Sequence, residues 1–102
     1  MTQQRFEVGD SVSRYINGDY DPFTVIESRG KRIVIQADNV ECVKPASAIG
    51  ADDAEYHITP NSTGHTETWS LRSNGRYKKI GDSMNSGLGL TDGCYYRRNP
   101  HV

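Results

Sequence analysis

No apolar run in the 102 residues reaches the length of a membrane span. The opening residues, MTQQRFEVGD, have neither the basic start nor the apolar segment of a signal peptide. A cytoplasmic protein with no membrane partner is the expectation. A surplus of charge is also missing. Twelve Lys and Arg stand against 13 Asp and Glu, a formal net charge of -1, which removes any global electrostatic case for binding duplex DNA. A basic patch, if present, must be small. Cysteine is scarce, with Cys42 and Cys94 the only two and far apart in sequence. In a reducing compartment they read as free thiols. Hydrophobic residues make up only 34% of the chain, so part of it must lie in solvated loops. The triplet Asn61-Ser62-Thr63 fits a glycosylation sequon, and without a secretory signal it is a chance match.

What is present is punctuation. Ten glycines and four prolines suit many tight turns and argue against long helices. Residues 22–38, PFTVIES-RG-KRIVIQAD, are two β-rich runs about Arg29-Gly30 and read as a hairpin. A two- or four-residue loop pairs Glu27 with Arg32, Ile26 with Ile33 and Val25 with Val34, which sets opposite charges and β-branched residues across from each other. Ile26, Ile33 and Ile35 then share one face, and Phe23, Val25 and Val34 the other. Apolar residues on both faces suggest a central hairpin in a curled sheet. A three-residue loop would shift the register. Upstream, FEVGDSVSRYI places Val8, Val12 and Ile16 around a Gly9-Asp10 turn. A hydrophobic residue followed by Gly-Asp and Val commonly opens the first strand of SH3-like barrels.

The pattern fades over residues 42–66, where small, polar and turn-forming residues predominate and only 55–59 suggests a short strand. It returns at WSLRSNGRYKKIG, residues 69–81, around Asn74-Gly75, the strongest short hairpin signal. A two-residue loop pairs Leu71 with Lys78 and Trp69 with Ile80. Trp69, Leu71 and Ile80 then face the core, and Ser70, Arg72, Tyr77 and Lys79 face outward. The tail DSMNSGLGLTDGCYYRRNPHV reads as a loop and a final strand through residues 94–97. Its closely spaced glycines precede strand formers rather than a helix, which is the wrong context for a dinucleotide-binding turn. The expected fold is one mainly β domain over residues 1–102, a small antiparallel curled sheet or SH3-like barrel with a long polar connection.

The motifs VGDSV, DPFTVIES-RGKRIVIQAD, WSLRSNGRYKKIG and Gly93-Cys94-Tyr95-Tyr96 with Asn99-Pro100 occur in a fixed order. In this layout the chain resembles a family of small proteins encoded by tailed bacteriophages and prophages. The likeness covers most of the chain outside 42–66. It implies a phage origin and a small β fold, and carries no activity with it. Family members often end in Tyr-x-Asp-Pro and an aromatic, whereas this chain ends in RRNPHV.

The chemistry-bearing residues make no catalytic pattern. His57, His65 and His101 stand at no metal-module spacing, even with both cysteines counted. Cys42 with His57 lacks an orienting carboxylate, and Asp52-Asp53 sits in the polar connection. A non-enzyme with no catalytic residue, metal or cofactor is expected. The outward face of the 69–80 hairpin is the candidate site. Tyr77 would stack a base, and Arg72 and Lys79 would hold a phosphate. Tyr95 and Arg97 form a second aromatic-basic pair on one strand face. Two function classes follow. One is capture of a nucleotide or other anionic small ligand, such as a signal of host immunity. The other is inhibition of a host protein through the loops. An exposed edge strand would also allow a homo-oligomer.

Overall fold

Alternation and turn chemistry produce eight strands: β1 (Ser11–Ile16), β2 (Asp19–Arg29), β3 (Arg32–Ala37), β4 (Asn39–Lys44), β5 (Glu55–Thr59), β6 (Thr66–Leu71), β7 (Tyr77–Lys79) and β8 (Gly89–Asp92). The computed structural model describes residues 6–16, 18–45, 47–48, 54–73, 75–81 and 88–96, and there is no helix among them. No helix of the described residues is therefore long and apolar enough to cross a membrane. Six strands form an antiparallel sheet in the order β7-β6-β3-β2-β1-β8, and β4 and β5 form a separate two-stranded ribbon. The large sheet curls until its edge strands β7 and β8 touch without ladder hydrogen bonds, giving a nearly closed, barrel-like shape. The mainly β architecture built from hairpins is as the sequence predicts.

One face of the curled sheet makes the core. Val12, Phe23, Val25, Ile33, Ile35, Trp69, Leu71 and Tyr77 are buried there with Phe6, whose ring lies 5.3 Å from that of Tyr77. Trp69 is wholly inaccessible to solvent. The register sets Val12 beside Phe23, Val25 beside Ile35 and Ile33 beside Trp69, so one residue in two along four strands supplies the core.

Both hairpins correct the register read in the sequence, the first by two residues near its turn and one beyond its bulge, the second by one. In the first, Arg29 pairs with Arg32, so the loop is Gly30-Lys31 rather than Arg29-Gly30. A bulge between Val25 and Glu27 adds the second irregularity. Ile26 is the extra residue, exposed instead of facing Ile33. Phe23, Val25, Ile33 and Ile35 consequently share the core face. A bulge also bends its strand and increases local twist, which helps the sheet to curl. In the second, Leu71 pairs with Tyr77 and Trp69 with Lys79. Arg72 N–H donates to Arg76 O at 2.8 Å, Gly75 N–H donates to Arg72 O at 2.9 Å, and Gly75 has φ of +83°. That is a three-residue loop closed by a left-handed glycine. The extra loop residue turns every side chain of β7 over. Tyr77 enters the core, and Ile80, expected inside, is 43% exposed.

Two further expectations shift. Val8 lies in the turn before β1 and is exposed. The last described strand is Gly89–Asp92, not residues 94–97, because Gly93 takes φ of +104° and ends it. Of the polar connection, residues 55–59 are the strand predicted, and β4 is an addition.

Candidate functional site

Strand alternation sends Val12 and Arg14 of β1 to the core face, and Ser13 and Tyr15 to the opposite face. Tyr15 pairs with Tyr20 of β2 and with Gly89 of β8. A Cβ at position 89 would collide with the Tyr15 ring, so glycine is what lets the ring lie flat on β8. The Tyr15 and Tyr20 rings are 5.9 Å apart. After β8 the chain folds back over this outer face. Ser13 is fully buried and fixes the return twice: its hydroxyl donates to Gly93 O and accepts from Tyr95 N–H, both at 2.8 Å. The turn at Gly93 carries Tyr95 back against it, and a Cβ there would come within 2.7 Å of the Tyr95 ring.

The β4–β5 ribbon forms the other wall. Tyr56 stands edge-on to Tyr96 at 4.6 Å and 72°, and Tyr20 stands edge-on to Tyr95 at 6.1 Å and 65°. Between these two pairs lies a groove of about 620 Å³, completed by Ile58, Thr91 and Cys94. Among the described residues no Lys, Arg or His lines it. The volume falls within the range of small-molecule sites, and an apolar wall with a few hydroxyls is their usual chemistry.

Asp38 acts through its charge on Cys94, which lines this groove. It follows β3, accepts a hydrogen bond from Thr24 Oγ1 at 2.6 Å, and donates its backbone N–H to Pro22 O at 3.1 Å. Burial raises the Asp38 carboxyl above its ordinary range, and the Thr24 bond partly offsets this. Partial desolvation likewise pushes the Cys94 thiol up, and the negative charge of Asp38 adds to the effect. Cys42 and Cys94 are both free and exposed.

A second polar cluster lies at the end of the core. Glu67 shares the inward face of β6 with Trp69 and Leu71, and its side chain is 1% exposed. It accepts from Trp69 Nε1 at 3.1 Å, pairs with the Arg14 guanidinium, and lies 3.1 Å from His65 Nε2 and 3.8 Å from Lys79 Nζ. Arg14 also reaches Asp21 at 3.3 Å and stacks over Phe23 at 5.2 Å. Its buried Nε has no hydrogen-bond partner among the described residues. These contacts tie β1, β2, β6 and β7 together across the inside of the curl. Among the described residues, no group of three or more His, Cys, Asp and Glu side chains converges to hold a metal ion.

The residues proposed from sequence do not meet. Arg72 is exposed at the tip of the β6–β7 hairpin, Tyr77 is buried against Phe6, and Lys79 turns toward Glu67. The outward base-and-phosphate face of Arg72, Tyr77 and Lys79 is thus undone by the three-residue loop. Tyr95 lines the groove, and Arg97 lies outside the described residues. Tyr96 belongs to the same aromatic-basic run as Tyr95, while Tyr20 and Tyr56 come from distant segments that only tertiary packing unites with it. Glu67 was legible in principle, because period-two alternation puts it on the face of Trp69. Comparison with family models, curated proteins and solved structures finds no match for the chain.

Proposed function

We propose that this is a non-enzymatic binding protein that takes the base of a nucleotide into the tyrosine groove. The observation that carries the reading is the pair of edge-on tyrosine couples, Tyr20 with Tyr95 and Tyr56 with Tyr96, standing around one open volume. A flat heterocycle entering there meets ring faces, and base stacking on an aromatic is worth about 1–3 kcal/mol per base. Hydroxyls of the tyrosines and Thr91 supply hydrogen-bond partners for base edges or a ribose. With the phage-type sequence pattern, such a protein would act in the host cytoplasm by sequestering a nucleotide signal of host immunity.

The test is a thermal-shift screen of nucleosides and nucleotides, followed by calorimetric titration of hits against Tyr95→Ala, Tyr20→Ala and Arg72→Ala. A ligand of the native state raises apparent stability. The two tyrosine variants should lose about ten-fold or more in affinity, while Arg72→Ala should bind as the parent does. No shift with any nucleotide would overturn this reading. It would favour the second one, inhibition of a host protein. That alternative draws on the ribbon, where Val43 and Tyr56 are 59% and 39% exposed on a sheet separate from the main one.

A further inference from the structure

We propose that the tyrosine groove selects a base carrying positive charge, an N-alkylated purine or a pyridinium, over the neutral ring of the same shape. This rests on the base-binding reading and names the chemistry of the ligand. Four phenol rings line the groove, and among the described residues no cationic side chain does. The face of each ring is the negative pole of its quadrupole, so a cation within about 6 Å of a centroid is attracted, and more strongly once water is excluded. The edge-on geometry matters here. At 65° and 72° within the couples, the rings present surfaces in different directions, and a guest between the couples can meet more than one face.

One acid acts on the groove in the same sense. Asp38 acts on Cys94, which lines the groove, and the effect of its charge is to disfavour a thiolate there. An anion placed beside Cys94 meets the same repulsion, and a cation meets attraction. Asp19, Asp21 and Asp92 neighbour Tyr20 and Thr91 in sequence, but strand alternation turns them to the opposite face. Asp21 is committed to Arg14 on the core side, and Asp38 is the acid whose charge acts on a residue that lines the groove. A phosphate on such a ligand would have to point out of the open groove, away from Cys94.

Two matched pairs of probes read the charge alone: 1-methyladenosine against adenosine, and 1-methylnicotinamide against nicotinamide. Affinities come from calorimetric titration of the intact protein and of Asp38→Asn, which keeps an oxygen for the Thr24 bond. The cationic member of each pair should bind about ten-fold more tightly, and Asp38→Asn should shrink that ratio several-fold. Two pairs are needed because an added methyl can clash in one ring frame and not in the other. Equal affinities within both pairs, or an Asp38→Asn protein that keeps the full preference, would overturn the inference and leave a plain stacking site. No binding of any probe, with no hit in the nucleotide screen, would instead overturn the base-binding reading itself.

Discussion

Replacing Glu67 by Leu should be among the most damaging single changes available to this chain. The carboxylate has almost no contact with solvent and gathers Arg14, Trp69 Nε1, His65 and Lys79. Removing one partner of a buried ion pair costs about 3–5 kcal/mol, chiefly because the other charge is left uncompensated. Arg14 keeps Asp21 and is itself 26% exposed, which argues for the low end of that range. The indole N–H of the fully buried Trp69 also loses its acceptor, roughly 1–3 kcal/mol more. A total on the order of 4 kcal/mol follows, against about 5–15 kcal/mol for the whole fold. Glu67→Gln should cost less, since an amide oxygen can still accept from Trp69. The assay is urea unfolding followed by the fluorescence of Trp69, the only tryptophan, with the midpoint and slope read together. Adding Arg14→Met to Glu67→Leu should restore part of the loss, because replacing both members of a buried pair by apolar groups is often neutral. A Glu67→Leu loss under about 1 kcal/mol, or a double variant no more stable than the sum of the singles, would refute the idea that this cluster closes the barrel end.

Ser13→Ala deletes a buried hydroxyl with two hydrogen bonds and leaves Gly93 O and Tyr95 N–H without that partner, so stability should fall by about 1–3 kcal/mol. Thermal denaturation measures that loss, and titration of a groove ligand should show weaker binding in the same variant because Tyr95 is no longer held. At a pH near the ordinary thiol value, Cys94 is less ionised than an unperturbed cysteine, since its pKa is raised by burial and then by Asp38, and the thiolate is the nucleophile. Iodoacetamide should therefore label Cys94 more slowly in the folded protein than in urea, and Asp38→Asn should speed the folded-state reaction. Mass-spectrometric site assignment separates Cys94 from Cys42, and equal rates in both proteins would remove Asp38 from the groove's electrostatics.

The β class, the two main hairpins, the short strand at 55–59 and the burial of Trp69 were all legible in the residues. Composition and turn chemistry report those features directly. The register was not legible, for a specific reason. Asn74-Gly75 signals a turn equally well whether the loop holds two residues or three, and the two cases differ by one residue in pairing. One residue is enough to exchange Tyr77 for Ile80 in the core. The bulge at Ile26 is similar: nothing in a β-branched run marks which member will be left unpaired. β4 went unread because its ribbon is exposed on nearly all positions, so no hydrophobic period betrays it. The groove depended on all of these at once. Tyr95 and its neighbour Tyr96 could be nominated from the aromatic-basic run, while Tyr20 and Tyr56 meet them through tertiary packing.

The alternation that obscured the site also makes it testable. Adjacent residues of β1 serve opposite faces: Arg14 anchors Glu67 inside the curl, and Ser13 anchors Tyr95 outside it. Perturbing Arg14 or Glu67 acts on the closure of the sheet, while the tyrosines hang from Ser13, Gly89 and Gly93 on the other face. Stability and ligand affinity should thus respond to different residues, although those residues are neighbours in sequence. Ser13 is the exception that links them, because its hydroxyl is both part of the buried fold and the hinge pin of the groove. If the groove were an accident of packing, no binding signal would follow Ser13, Tyr20 and Tyr95 while ignoring Arg72. A correlated loss across those three positions, with Glu67→Gln left near parental affinity under conditions where it stays folded, is what a built binding face requires.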